Sequence, residues 1–195
     1  MRPKISILYP SDPFYPKVGG VAVLIKGFIK YAPDDFDIEY LGTSSDPAKR
    51  PIKKWADLTV EGRNIRFVPL LAELDENKKT KVPLTLRYTA ALKTFPVEYS
   101  KRLLFFNTIE PCVLFTGMKC PKVLIIHNDI EKQMLKGQGE MLWGKIPWVY
   151  FQFEKWIMPS ISRVYSESID TIRFYHSKYS KMNERKIFFS PHMGG

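Results

Sequence analysis

The chain has 195 residues, of which 45% are hydrophobic and 26% charged, and its formal net charge is +10. This length is enough for one domain with a sizeable core, and the composition excludes a disordered chain. The basic residues are spread along the sequence, which argues against a nucleic-acid-binding arm. The positive surplus favours anionic partners such as phosphorylated small molecules or anionic lipid.

Cysteine usage and the first residues bear on location. Cys112 and Cys120 match no metal-binding spacing and no disulfide framework, and Met1 to Lys4 do not begin a signal peptide. We therefore expect a cytoplasmic protein, with a peripheral position on the inner face of the membrane left open. The apolar stretches fall far short of the roughly 20 residues that a transmembrane helix needs.

Short apolar runs alternate with helical patterns along the whole chain. The predicted strands are 5–9, 36–41, 103–106, 122–126, 162–166 and 186–190, with a hairpin of 55–60 and 65–71; the predicted helices are 21–33, 84–99, a short one ending near 115, 140–158 and 169–176. Pro96 must break or end the helix over 84–99. Continuous apolar strands separated by helices predict an α/β fold with a Rossmann-like, doubly wound, mainly parallel sheet and helices on both faces.

The helix predicted over 140–158 is rich in aromatic residues. Its apolar side chains lie nearly all round the helix, which favours burial in the core. The alternative is contact with a membrane surface through aromatics flanked by Lys145 and Lys155. Glu154 lies in the same helix and is interpreted as a solvated surface residue.

Gly19 and Gly20 lie between the first strand and the first helix. Free backbone N–H groups and the helix dipole favour an anion there, and the lack of a Cβ lets a phosphate approach closely. A flexible turn after Pro16 is the alternative interpretation. The Gly-x-Gly-x-x-Gly fingerprint and the Walker phosphate loop are both absent, which argues against a dinucleotide-dependent oxidoreductase.

Polar residues end several predicted strands abruptly. His127, Asn128 and Asp129 follow strand 122–126, Asn107 to Glu110 follow strand 103–106, and Ser166 and Glu167 end the strand from 162. Ligands of doubly wound sheets lie beyond the carboxyl ends of the strands, so these are candidate site residues. A simple hydrogen bond to a neighbouring loop is the alternative for His127, and an N-cap for the following helix is the alternative for Ser166.

Taken together, these motifs resemble the N-terminal domain of GT-B fold glycosyltransferases, most closely glycosyltransferase family 4. The resemblance rests on the order of the first strand, the Gly-Gly loop, the run VLIIH ending in His127, the helix with Glu154, and the segments SRVYSES and KIFFSPHMGG. The chain departs from the family in two places: residues 33–36 replace its Gly-His-Glu, and His192 replaces its Asn. The family's second domain with its Glu-x7-Glu motif is not found.

The resemblance implies that residues 1–195 form a single Rossmann-like domain, the N-terminal acceptor-side lobe, inactive without a C-terminal donor-binding lobe. The family transfers a sugar from a nucleotide-diphosphate donor to a hydroxyl, usually with retention, and without a metal or cofactor. Gly19 and Gly20 would approach the diphosphate, and His127 would act as the catalytic residue beside the donor sugar. The implied substrate-binding residues are Glu110, Asn128, Asp129, Ser166 and Glu167.

The implied partners are a nucleotide sugar, a carbohydrate or lipid-linked acceptor, the C-terminal domain of the same protein, and an anionic membrane surface. Two alternatives stay open. The chain is a lobe of another GT-B relative, such as a nucleotide-sugar epimerase or a phosphorylase, or it is a basic module that binds membranes or other anions.

Overall fold

The computed structural model describes residues 2–14, 20–75, 80–127, 146–179 and 186–189. Strands and helices alternate along these residues as the apolar pattern predicts. The elements are β1 Lys4–Leu8, α1 Gly20–Tyr31, β2 Asp37–Ser44, β3 Ala56–Val60, β4 Arg63–Ala72, α2 Leu84–Lys93, β5 Arg102–Phe106, β6 Lys122–Ile126, α3 Pro147–Ile157, β7 Arg163–Ser166, α4 Ile169–Lys178 and β8 Ile187–Phe189. Short 3₁₀ turns cover Glu110–Phe115 and Met158–Ser160.

The strands form one eight-stranded sheet in the order β3-β4-β2-β1-β5-β6-β7-β8. Every pairing is parallel except that of the edge strand β3 with β4. The chain winds outward from β1 through β2 to β4 on one side, and from β5 through β8 on the other. The order therefore reverses between β1 and β5, which is where doubly wound sheets bind ligands.

The predicted hairpin is confirmed, and its turn has a clear steric requirement. Glu61 and Gly62, which join β3 to β4, have φ angles of 50° and 78°. Two successive residues with positive φ form the tight turn whose twist matches that of antiparallel strands. Glycine adopts this backbone conformation without a Cβ penalty.

The two faces of the sheet bury separate apolar cores. On one face, Ile5 and Ile7 of β1 pack with Ile25 and Ile29 of α1. On the other face, Leu8 and further alternate strand residues pack against α2, α3 and α4. This alternation follows from the period of two along a strand. The predicted α/β fold with helices on both faces is confirmed.

α2 is shorter than predicted, and α3 is described only in part. α2 ends at Lys93, before Pro96, because a proline and the residue before it disfavour helical backbone. α3 is described from Pro147 onward, and residues 140–145 lie outside the described part. The favoured interpretation of α3, packing in the core, holds for one side of the helix only. One side packs in the core, whereas Trp148 and Trp156 are 71% and 58% exposed.

Glu154 of α3 is buried rather than solvated, which corrects its interpretation as a surface residue. Its carboxylate accepts hydrogen bonds from the hydroxyls of Tyr175 and Tyr179 and from Lys178 Nζ at 3.2 Å. Glu154 lies on the side of α3 that faces α4, so its charge is matched by partners on that helix. Burial raises the pKa of Tyr175, and the neighbouring Tyr150 and Glu154 raise it further.

The amino end of the sheet holds a second buried carboxylate. Glu39 of β2 is 1% exposed and pairs with Lys4 at 3.0 Å, with Arg66 at 3.4 Å and with Arg102. These contacts tie β2 to β1, β4 and β5, so this edge has a structural role. In the part of the chain that the structure describes, no helix is long and apolar enough to cross a membrane.

Candidate functional site

The candidate site lies at the carboxyl edge of the sheet, beside the point where the strand order reverses. Asn107 follows β5, His127 follows β6 and Glu167 follows β7, and these three strands are neighbours in the sheet. Parallel strands bring their carboxyl ends to one edge, so residues distant in sequence meet there. The structure therefore brings together His127 and Glu167, which the sequence predicts, with Asn107, which also follows a predicted strand.

The three side chains contact one another through the imidazole ring. His127 Nε2 lies 2.9 Å from Asn107 Oδ1, and His127 Nδ1 lies 3.4 Å from Glu167 Oε1. The side chains of His127 and Glu167 are only 10% and 19% exposed. Because an amide oxygen only accepts hydrogen bonds, Nε2 carries the proton in this contact. Both ring nitrogens therefore face protein side chains.

Ser166 and Glu167 occupy the turn between β7 and α4. Ser166 is buried at the end of β7, and its hydroxyl accepts a hydrogen bond from the backbone N–H of Ser168 at 3.2 Å. The N-cap of α4 is Ser168, whose hydroxyl accepts from Thr171 N. The N-cap alternative for Ser166 is therefore wrong, because the strand continues through Ser166 and the helix begins later. Ser166 instead holds the turn that carries Glu167.

Glu110 lies at the same edge but on a different element. It begins the 3₁₀ turn after β5, is 7% exposed, and accepts a hydrogen bond from Thr85 Oγ1 of α2 at 3.0 Å. Its carboxylate is thus tied to the first turn of α2, whereas the contacts of His127 are with Asn107 and Glu167. The structure places Glu110 on the flank of the site.

Gly20 is the first residue of α1 and is exposed, so the amino end of this helix faces solvent at the carboxyl edge. Gly19, Asn128 and Asp129 lie outside the described residues, and their proposed roles stay predictions. Among the residues that the structure describes, no group of three His, Cys, Asp or Glu side chains is arranged to hold a metal ion.

Asp12, in the loop after β1, is a site-edge residue that the sequence analysis missed. Its buried carboxylate accepts hydrogen bonds from Phe14 N at 2.9 Å, from Ser45 N at 2.9 Å and Ser45 Oγ at 2.8 Å, and from Arg50 Nη2 at 2.6 Å. Burial raises the pKa of Asp12, but the hydrogen bonds from Ser45, Phe14 and Arg50 outweigh it and leave the pKa below its usual 3.8. The criterion that selects His127, a polar residue immediately after a strand, does not find Asp12, because Tyr9, Pro10 and Ser11 separate it from the end of β1.

The contacts of Asp12 fix the beginning of the connection from β1 to α1 against the loop after β2. Gly42 of β2 permits this approach, because a Cβ there would lie 2.3 Å from the Ser11 carbonyl oxygen and 2.6 Å from Tyr40 Cε1. The Ser11 and Tyr40 hydroxyls are hydrogen-bonded at 2.7 Å. A shallow pocket beside this contact has Lys26 of α1 in its wall.

No protein-family model matches this sequence, and no curated protein does. Among solved structures, the chain is similar to sucrose-phosphate synthase from Thermosynechococcus elongatus, with a TM-score of 0.63 and 14% sequence identity. The similarity covers 97% of this chain and 48% of that protein, so the chain spans about half of its length.

At this identity, the likeness establishes the fold alone. The chain has an α/β, Rossmann-like fold with a mainly parallel sheet, like the part of sucrose-phosphate synthase that it matches and as the sequence motifs predict. The finer assignment to glycosyltransferase family 4 is not distinguished by this likeness.

Proposed function

We propose that this chain is the acceptor-binding N-terminal lobe of a retaining glycosyltransferase. The enzyme would transfer a sugar from a nucleotide-diphosphate sugar to a hydroxyl of a carbohydrate or lipid-linked acceptor. The observation that carries the proposal is the Asn107–His127–Glu167 cluster at the carboxyl edge of a GT-B-type sheet. Ligands of doubly wound sheets bind at this edge, and the cluster provides the polar groups that a sugar requires.

The proposed mechanism divides the substrate between two parts of this edge. Gly19 and Gly20 would present backbone N–H groups at the amino end of α1, where the helix dipole is positive, to the donor diphosphate. Fixed donors of this kind stabilise the charge that grows on the departing nucleotide diphosphate as the bond to the sugar carbon breaks. Asp12 supports the same edge, because it ties the loop after β1 to the loop after β2.

His127 would act from its backbone carbonyl, which lies one residue beyond β6 and can accept a hydrogen bond from a hydroxyl of the donor sugar. Asn107 would hold the ring, and thereby the strand end, in place, with Glu167 beside the other ring nitrogen. The remaining predicted residues, Glu110, Asn128, Asp129 and Ser166, would line or support the acceptor side. The nucleotide sugar is a substrate here, and we propose no cofactor.

A second lobe of the same protein would bind most of the nucleotide. This part of the proposal draws on the length comparison, in which the chain spans 48% of sucrose-phosphate synthase. The chain by itself should then bind nucleotide sugars weakly, with a dissociation constant of about 1 mM or higher, equivalent to a binding free energy of only ~4 kcal/mol. It should not turn them over.

Backbone amide NMR of the ¹⁵N-labelled chain tests the proposal. UDP-glucose, ADP-glucose and GDP-mannose should each be titrated to several millimolar. We expect at least one to shift the amides of Gly20, His127 and Glu167, while those of Lys4 and Arg102 at the opposite edge stay unchanged. Shifts confined to the opposite edge, or none with any of the sugars, would contradict the assignment.

Product analysis provides a separate test of the half-enzyme view. The chain alone should give no transfer, hydrolysis, epimerisation or phosphorolysis of these sugars over a long incubation. Sugar transfer by the chain alone would refute the need for a second lobe. Epimerised or phosphorolysed products would instead favour another GT-B relative.

A peripheral membrane location is a second candidate property, and the outer side of α3 favours it. Trp148 and Trp156 are eight residues apart, a spacing that places both on one side of the helix. Both are exposed, and so is Lys155 between them. Exposed tryptophans beside a basic residue suit the interface of an anionic membrane, where a lipid-linked acceptor at the cytoplasmic face would lie.

Sedimentation with vesicles tests this candidate property. The chain should bind vesicles of phosphatidylglycerol more strongly than those of phosphatidylcholine, and added salt should weaken the binding. A chain with both Trp148→Ser and Trp156→Ser should lose most of the binding, whereas Val23→Ser on exposed α1 should not. Equal binding to phosphatidylglycerol and phosphatidylcholine vesicles would contradict a peripheral location on an anionic membrane.

A further inference from the structure

Asn107 has a buried donor that the site described so far does not use. The residue is 5% exposed, and its Oδ1 is occupied by His127 Nε2 at 2.9 Å. Its other polar atom, Nδ2, is buried and has no hydrogen-bond partner within the described structure. The hydroxyl of the next residue, Thr108, is buried and unpaired in the same way.

Buried polar atoms without partners are rare in native proteins, and each one asks for an explanation such as an absent ligand. Two of them on successive residues at the end of β5 are therefore informative. β5 pairs with β1, and Leu8 lies opposite Phe106. Asn107 therefore lies at the carboxyl end of β5, beside the place where the strand order reverses. Its unpaired amide is thus placed where a ligand of this fold would bind.

The neighbouring charge decides which ligand atom fits. Nδ2 only donates, so its partner must offer a lone pair, as both a phosphate oxygen and a sugar hydroxyl do. The carboxylate of Glu167 lies 3.4 Å from the other side of the same imidazole and gives this part of the edge a negative charge. That charge repels a phosphate, whereas a hydroxyl both accepts from the amide and donates to a carboxylate.

We infer that Asn107 is a sugar-binding residue, whose side-chain N–H₂ donates to a hydroxyl of a neutral carbohydrate, with the Thr108 hydroxyl as a second contact. This rests on the proposed function and deepens it, because it separates a sugar subsite at the end of β5 from the diphosphate subsite at the amino end of α1. Asn107 would then hold His127 through one atom of its amide and the substrate through the other.

The side-chain N–H₂ resonances of Asn107 report on this contact directly. Glucose, mannose, galactose and fructose serve as neutral probes, and inorganic pyrophosphate serves as the charged probe. We expect at least one sugar to shift the Asn107 N–H₂ peaks saturably at millimolar concentrations, and pyrophosphate to leave them unchanged. The N–H₂ peaks of Asn64, an exposed residue of β4, are the internal control and should not move.

Two variants separate binding from packing. Asn107→Asp keeps an oxygen that accepts from His127 Nε2 but replaces the donor, and should weaken sugar binding by about tenfold or more. Asn64→Asp carries the same change of charge at an exposed position and should leave sugar affinity unaltered. Equal affinities for the two variants, or an Asn107 N–H₂ signal that no sugar moves, would overturn the inference.

The outcomes also separate this inference from the proposed function. Nucleotide sugars that shift Gly20 and His127 but never the Asn107 N–H₂ peaks would overturn the sugar contact and leave the glycosyltransferase proposal standing. Sugars that shift Asn107 while no nucleotide sugar affects Gly20 or His127 would support the sugar contact and count against the nucleotide-sugar enzyme. Shifts of Asn107 by pyrophosphate would overturn the choice of a neutral hydroxyl.

Discussion

Replacing Glu154 by alanine should destabilise the chain by about 3–5 kcal/mol. The carboxylate is fully buried and is bonded to the hydroxyls of Tyr175 and Tyr179 and to Lys178 Nζ. Hydrogen bonds to a charged group contribute about 1.5–3 kcal/mol each, and breaking one side of a buried ion pair costs about 3–5 kcal/mol. The range for a broken ion pair applies because the substitution removes this acceptor from the buried Tyr175 hydroxyl and this counterion from Lys178, whose side chain is only 24% exposed.

Urea denaturation followed by tryptophan fluorescence and circular dichroism measures this loss, provided that the slope against denaturant stays constant. Glu154→Gln keeps the volume and an acceptor oxygen, so it should lose less than Glu154→Ala. Lys155→Ala changes an exposed neighbour on the same helix and should stay within about 0.5 kcal/mol of the parent. If Glu154→Ala and Lys155→Ala destabilise equally, the buried network does not join α3 to α4 as described.

Three further changes test the edge that carries the site. Asp12→Asn should remove a component of stability that the parent loses as the pH falls below 3.8, because the carboxylate takes up a proton at a higher pH in the unfolded chain than in the folded one. Urea titrations from pH 2.5 to 6 measure this loss. Parallel curves of unfolding free energy against pH for parent and variant would contradict it. Gly42→Ala should lower the free energy of unfolding by about 1–3 kcal/mol or more through overpacking. Gly27→Ala, at a helix position with open space around it, should raise it by about 0.5–1 kcal/mol. A higher melting temperature for Gly42→Ala than for Gly27→Ala would refute the close approach at Gly42. Ser168→Ala should cost about 1 kcal/mol through loss of the N-cap of α4, and a loss no larger than that of the exposed Ser177→Ala would contradict it.

The sequence predicts the order of strands and helices because that order depends on periodicity alone. Continuous apolar runs such as residues 122–126 mark buried parallel strands, and Glu61-Gly62 marks the hairpin turn. The same logic predicts part of the site, since a polar residue that ends a buried strand must lie at the carboxyl edge. His127 and Glu167 follow from this rule, and their contact follows from the adjacency of β6 and β7.

The features that the sequence does not predict depend on tertiary partners. A glutamate in an aromatic helix looks solvated until α4 brings two tyrosines and a lysine to it. The apolar pattern of α3 does not reveal which side packs, so the exposure of Trp148 and Trp156 emerges only from the layer arrangement. Asp12 has partners 33 and 38 positions away in sequence, and no local pattern indicates them.

The most direct test of the account is the position of a bound sugar in crystals of this chain soaked with UDP-glucose. We predict density for the glucosyl group at the carboxyl ends of β5 and β6, within hydrogen-bond distance of the Asn107 amide and the His127 carbonyl. Density at the amino edge beside Glu39, or on the outer side of α3, would contradict the account.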